Sequence, residues 1–107
     1  MSLRSLVLIV TLSLLVGLAF SQKEDEDKEV KAILKKYTCT KCHHKSIRLI
    51  GPSFTAVAKR NYSKERLIEL IMNPEPGSWP GYGAMPKIDT LKREDVEKVS
   101  EWVRGIR

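Results

Sequence analysis

The chain opens on an unbroken apolar run: residues 6–20 contain no charged side chain, and only Arg4 precedes them with a positive charge. Ala19-Phe20-Ser21 then places small residues three and one before a possible cut. A basic start, a short apolar stretch and a small-x-small site have the layout of an export signal, which predicts a signal peptide over 1–21. The run of 15 residues falls short of the ~20 that span a hydrocarbon core, which makes an uncleaved anchor the weaker reading. Residues 22–29 carry five acids and read as a solvated acidic leader into the first helix.

Beyond the leader, Val30, Ile33, Leu34 and Tyr37 recur at i, i+3, i+4 and i+7. That is one apolar face of an α-helix with lysines on the other. Gly51-Pro52 breaks the chain, and 54–59 suggests a short helix. Ser63 is suited to cap a helix over 64–72, where Leu67, Leu70 and Ile71 share a face. Residues 74–86 hold three glycines and four prolines and read as a loop. Loops this long in small domains are usually functional when ordered. Thr90 is placed to cap a last helix over 91–104, with Val96, Val99, Val103 and Ile106 on its apolar face and Trp102 beside it. No stretch alternates with period two at useful length, and no repeat is visible. The pattern predicts an all-α domain over 22–107, of about four helices, with the first and last packed together.

Composition sharpens this picture in two ways. Loss of 1–21 leaves 86 residues of a 107-residue chain, and only 7% of the whole is aromatic. So small a core usually needs a staple such as a metal, a disulfide or a cofactor. Two cysteines are too few for a disulfide scaffold. Charge is also uneven: the whole chain carries +6, but 30–107 alone carries +8.

The staple is suggested by Cys39-Thr40-Lys41-Cys42-His43. Cysteines at i and i+3 on a helical turn face one side. C-x-x-C-H is the attachment signature of c-type haem, in which each thiol joins a vinyl group and the histidine binds the iron. Three other readings compete with this one. A thioredoxin-like redox pair needs a βαβ setting, and no strand is evident. A zinc site would have to draw Cys39, Cys42, His43 and His44 from six consecutive residues, too few to wrap a tetrahedral ion. A disulfide between Cys39 and Cys42 would close a tiny loop and stabilise little. For a sixth iron ligand, Met85 in Gly83-Ala84-Met85-Pro86 is favoured: it lies in the loop, 42 residues after His43, and Pro86 holds its backbone extended. Met72 reads as helix core, and His44 as a surface residue that cannot reach the far side of the ring.

With Gly51-Pro52 after the haem motif, Trp79 ahead of the methionine, Met85-Pro86 and Trp102-Val103 on the last helix, the chain resembles the short bacterial class I cytochromes c from about residue 30 to 103. The resemblance implies a class I cytochrome c fold around one covalently attached haem. It implies thioethers from Cys39 and Cys42, axial ligation by His43 and Met85, a bond from His43 to the Pro52 carbonyl, and contact between Trp79 and a haem propionate. Two positions depart from relatives of this type. Lys87-Ile88 stands where an asparagine often follows the ligand, and Leu70 stands where some relatives place a basic propionate partner. Arg48, Arg60, Tyr62 and Tyr82 are the candidates to replace it.

Such a protein is expected to be a soluble, monomeric electron carrier of the periplasm, not an enzyme: His/Met ligation leaves no open site on iron and suits electron transfer. The expected partners are redox proteins such as a cytochrome bc complex and a terminal oxidase or reductase. Lys36, Lys41, Lys45, Arg48, Lys59, Arg60 and Lys87 could ring the haem face and steer docking onto acidic surfaces. Nucleic acid is a poor match, since no groove-reading motif is present. The alternatives are a haem peroxidase or the haem subunit of an oxidoreductase complex, reached through a labile Met85, and a thiol-disulfide protein.

Overall fold

A computed structural model describes residues 2–107, and among these there is no strand. Four α-helices appear in order: α1 (Leu3–Lys36), α2 (Phe54–Lys59), α3 (Lys64–Met72) and α4 (Arg93–Arg104). A single 3₁₀ turn, Cys39–Lys41, follows α1.

α1 is a single 34-residue helix, about 51 Å long at 1.5 Å per residue. Its first half projects from the body with every residue of 2–20 exposed, and gives the molecule a long axis of 64 Å. The helix runs without a break through 22–29, a segment exposed to solvent except at half-buried Asp27. The acids of that segment have partners on α4: Asp27 Oδ1 accepts a 3.0 Å bond from Trp102 Nε1, and Glu29 pairs with Lys98. An indole N–H and an ammonium on α4 thus fix a segment that its own polarity made look free.

Val30, Ile33, Leu34 and Tyr37 are the buried face of α1. They form one cluster with Phe54, Leu67, Val99 and Val103. The first and last helices therefore pack together, with α2 and α3 closing the core against α4. On α3 the buried pair is Leu67 and Ile68, the latter 1% exposed, while Leu70 is half-buried and lies outside the cluster. The apolar face of α3 is thus turned one residue from the expected 67/70/71 stripe, because Ile68 is drawn inward as well.

Ser53 and Ser63 cap their helices, each hydroxyl accepting from the backbone N–H three residues on, Ala56 at 3.0 Å and Arg66 at 3.1 Å. α4 starts at Arg93, not at residue 91, and Thr90 does not cap it; Lys92 holds the cap position. The reason lies in the preceding turn. Leu91 N bonds Ile88 O, Leu91 packs on the core, and Lys92 N donates to Tyr37 Oη at 3.3 Å. Residues 74–86 form a loop, as the glycines and prolines predict.

Candidate functional site

α1 ends at Lys36 with Tyr37 as its C-cap, and Thr38 turns the chain with a left-handed φ of 58°. That conformation is costly for a β-branched residue and marks a deliberate change of direction. It delivers Cys39 straight into the 3₁₀ turn, where Cys39 O accepts from Cys42 N at 3.2 Å and His43 N at 2.9 Å. Cys39 and Cys42 are half-buried, unpaired thiols. Burial pushes the Cys39 thiol above its ordinary pKa, so it is a neutral thiol at physiological pH.

His43 is held from three sides. Its Nδ1 lies 2.7 Å from Pro52 O. A carbonyl only accepts, so Nδ1 carries the proton of this bond, and Nε2 is the ring nitrogen without a protein partner among the described residues. The ring stacks on Phe54, with centroids 5.4 Å apart and planes at 25°. Gly51 backs it so closely that a Cβ there would stand 2.5 Å from His43 Cε1 and 2.9 Å from Nδ1. The segment is zipped to the start of α2 by Gly51 N to Cys42 O, Phe54 N to His44 O and Thr55 N to Lys45 O, at 2.8, 2.9 and 2.9 Å. His44 is exposed, and its Nδ1 accepts from Ser46 N and Ile47 N, which makes it the former of a local turn.

Met85 and Trp79 are carried by loop 74–86, and both are half-buried. Met85 lies in irregular chain directly ahead of Pro86. Trp79 sits under the Arg60 guanidinium, 3.4 Å from its ring centroid, and meets the Tyr82 ring edge-on at 6.0 Å. Arg48 lies 3.9 Å over Tyr82. The four candidates for a propionate partner thus form two arginine–aromatic groups, since Arg60 also bonds Tyr62 Oη at 2.9 Å. Sequence reading missed this pairing, for nothing in the spacing of Arg48 and Tyr82 announces it. Met72, read as core, instead lines an open groove with Glu65, Arg66, Ile68, Glu69, Asn73 and Arg93.

Among the described residues, no three His, Cys, Asp or Glu side chains gather as they would around a bare metal ion. What does converge is two unpaired thiols, an imidazole with Nε2 free, and neighbouring apolar side chains left open to solvent: Ile47, Leu49 and Ile50 are 54%, 41% and 72% exposed. Thiols to attach, a nitrogen to ligate and apolar surface to be covered are the requirements of a c-type haem, and these residues fit it.

Comparison with known proteins agrees with that arrangement. No protein-family profile matches the chain. Cytochrome c-551 of Stutzerimonas stutzeri is 27% identical to it over 103 residues, which cover 94% of this chain and 97% of that protein. The crystal structure of Nitrosomonas europaea cytochrome c552 superposes with a TM-score of 0.66 at 21% identity, over 72% of this chain and 99% of the other. Class 1 cytochrome MtoD of Sideroxydans lithotrophicus ES-1 gives a TM-score of 0.62 at 20% identity, over 74% of this chain and 94% of the other. The chain has the fold of the small class I cytochromes c.

Proposed function

We propose that the chain is an exported monohaem c-type cytochrome that carries single electrons between other redox proteins. The observation that carries this reading is the state of His43: Nδ1 committed to Pro52 O, Nε2 free, directly after two unpaired cysteines of a C-x-x-C-H segment.

Haem c, when bound, supplies a one-electron Fe(II)/Fe(III) couple. Cys39 and Cys42 would hold it by adding across its two vinyl groups, sulfur to one carbon and the thiol proton to the other. His43 Nε2 would be a ligand to the iron, with its basicity and ring orientation set by the bond to Pro52 O. Met85 sulfur would be the second protein ligand, and a His/Met pairing would raise the potential and leave no position open to oxygen or peroxide. Phe54, stacked on His43, keeps water from that side of the ligand. Trp79 is the loop residue assigned to a propionate. Residues 1–21 are the export signal in this reading, so the mature protein works in the periplasm as a soluble monomer. Its partners are a cytochrome bc complex and a terminal oxidase or reductase.

One spectroscopic series tests the core of the reading. The purified protein is expected to give a c-type pyridine haemochrome, and its oxidised form a weak near-infrared sulfur-to-iron band at neutral pH. Met85→Ala should keep the covalent haem, lose that band, become high-spin and fall in potential by on the order of hundreds of millivolts. Colourless native protein overturns the haem assignment. Rapid cyanide or peroxide binding by a protein without the band favours an open-site enzyme instead.

A further inference from the structure

Loop 74–86 is thinly attached. Its own backbone bonds, Ser78 N to Glu75 O and Tyr82 N to Trp79 O, are local turns. Among the described residues, every hydrogen bond that ties the loop to the rest of the protein comes from an arginine side chain. Arg60 Nη1 donates to Ser78 O at 2.6 Å, Arg48 Nη2 donates to Gly81 O at 2.6 Å, and Arg66 makes a two-pronged bond to Glu75. The guanidinium carbons of the first two also stand over aromatic rings of the same loop, Arg60 at 3.4 Å from the Trp79 centroid and Arg48 at 3.9 Å from that of Tyr82, and those two rings meet edge to face.

We propose that Arg48 and Arg60 are positioning residues which clamp loop 74–86 and so hold Met85 in place; this rests on the reading of Met85 as an iron ligand. Each guanidinium does two things at once that only its shape allows. Its face covers a ring while an edge N–H reaches a backbone carbonyl. Arg48 also has a place of its own in the chain, since it lies in the segment that follows His43. Its bond to Gly81 O joins the loop behind one axial ligand to the loop that carries the other, four residues before Met85. Asparagine, which could fix the methionine sulfur directly, is absent at 87–88. The arginines place the constraint one layer further out, on the loop backbone. Arg66 acts at the far end of the loop, through Glu75, ten residues before Met85, and is the internal comparison.

The test is cyanide binding to the oxidised holoprotein, which proceeds only as fast as the methionine side leaves its place. Arg48→Ala and Arg60→Ala are each expected to speed cyanide binding about tenfold, the scale of one stacked and hydrogen-bonded guanidinium. Amide exchange at Gly81, Tyr82 and Gly83 should rise with it, while the denaturant midpoint of the helices stays nearly fixed. Arg48→Lys and Arg60→Lys keep the charge but not the flat stack, and should give smaller accelerations; they also serve where the alanine variants fail to mature. Arg66→Ala should react at the wild-type rate. If the wild-type band of methionine ligation is present and all variants bind cyanide at the wild-type rate, the clamp is wrong and the ligand reading stands. If the wild-type band is absent, the ligand reading itself fails. An unchanged cyanide rate with an altered pH dependence of the potential would assign the guanidiniums to the propionates and overturn the clamp. Equal acceleration by Arg66→Ala would overturn it also.

Discussion

Single atoms decide much of the site. Gly51 serves as more than the break that Gly-Pro suggests, because a methyl group there would overlap the His43 ring. Gly51→Ala is expected to force the ring off Pro52 O and cost on the order of 2 kcal/mol, the scale of overpacking in a closed site. Guanidinium unfolding would measure that loss, and the exchange rate of the His43 Nδ1 proton would report the lost bond. Ser100 is the reverse case. It is fully buried, and among the described residues its hydroxyl has no partner. Ser100→Ala should raise stability by about 1 kcal/mol, since it removes an unsatisfied donor with little loss of volume; a lower denaturant midpoint would mean the hydroxyl has a partner after all. Neither feature could be read from sequence. A glycine says that the backbone is free but not which ring needs the space, and a serine on a helix says nothing of what surrounds it. Thr38 is similar: its left-handed φ of 58° has no signature in a β-branched residue, and it was invisible before the structure.

Among the elements, the seam between α1 and α4 is where sequence and structure agree best, and where pH acts. Tyr37 is buried and donates from Oη to Asp95 Oδ2 at 2.6 Å, while Lys36 reaches the same oxygen at 3.2 Å. The tyrosine bond first, and the lysine beside it, hold the Asp95 carboxyl below its ordinary pKa. A carboxylate lowered in the folded state adds stability that is full above its unfolded value and lost as pH falls through the folded one. Stability should therefore decline in acid below about pH 4, the ordinary aspartate value. Asp95→Asn should lower stability near neutrality and flatten that acid decline, as denaturant midpoints from neutral to acid pH would show; an unchanged acid limb would place the titration in other carboxylates. The helix faces at 30, 33, 34 and 37 and at 96, 99 and 103 were legible because 3.6-residue periodicity directly reflects one-sided burial. The caps at Ser53 and Ser63 follow from side-chain chemistry, and only the second was read beforehand. The helical continuation through 22–29 was not legible because local polarity looks alike in a free tail and in a helix whose partners, Trp102 and Lys98, lie some 70 residues later. The start of α4 slipped for a related reason, as Tyr37 takes the Lys92 N–H that an earlier helix start would have used.

At the scale of the molecule, charge is sorted along the chain. From Val30 to Lys64 there is no acidic residue and there are nine basic ones, and this stretch contains Cys39, Cys42 and His43. The acids that form ion pairs, Glu29, Glu65, Glu69, Glu75, Asp95, Glu97 and Glu101, all lie outside it. Of the lysines and arginines expected to ring the site, Arg48 and Arg60 are occupied with loop 74–86 and Lys36 with Asp95. Lys41, Lys45, Lys59 and Lys87 remain exposed, and none forms an ion pair among the described residues. Two of these lysines lie beside the haem motif, Lys41 directly before Cys42 and Lys45 two residues after His43, so their field acts where an electron would enter. Reduction of iron in the oxidised holoprotein by the anion hexacyanoferrate(II) should accordingly slow about tenfold as ionic strength rises from about 10 mM to about 200 mM, because the Debye length shrinks from roughly 30 to 7 Å. Lys41→Glu and Lys45→Glu should each slow the reaction at low salt and flatten its salt dependence. Lys98→Glu makes the same change in net charge but acts at the α1–α4 seam, beside Glu29. A much weaker effect there is the mark of a local patch. Equal slowing by all three would mean that the molecule attracts anions by its total charge, and that the sorting of acids away from the cysteine–histidine segment does not guide electron entry.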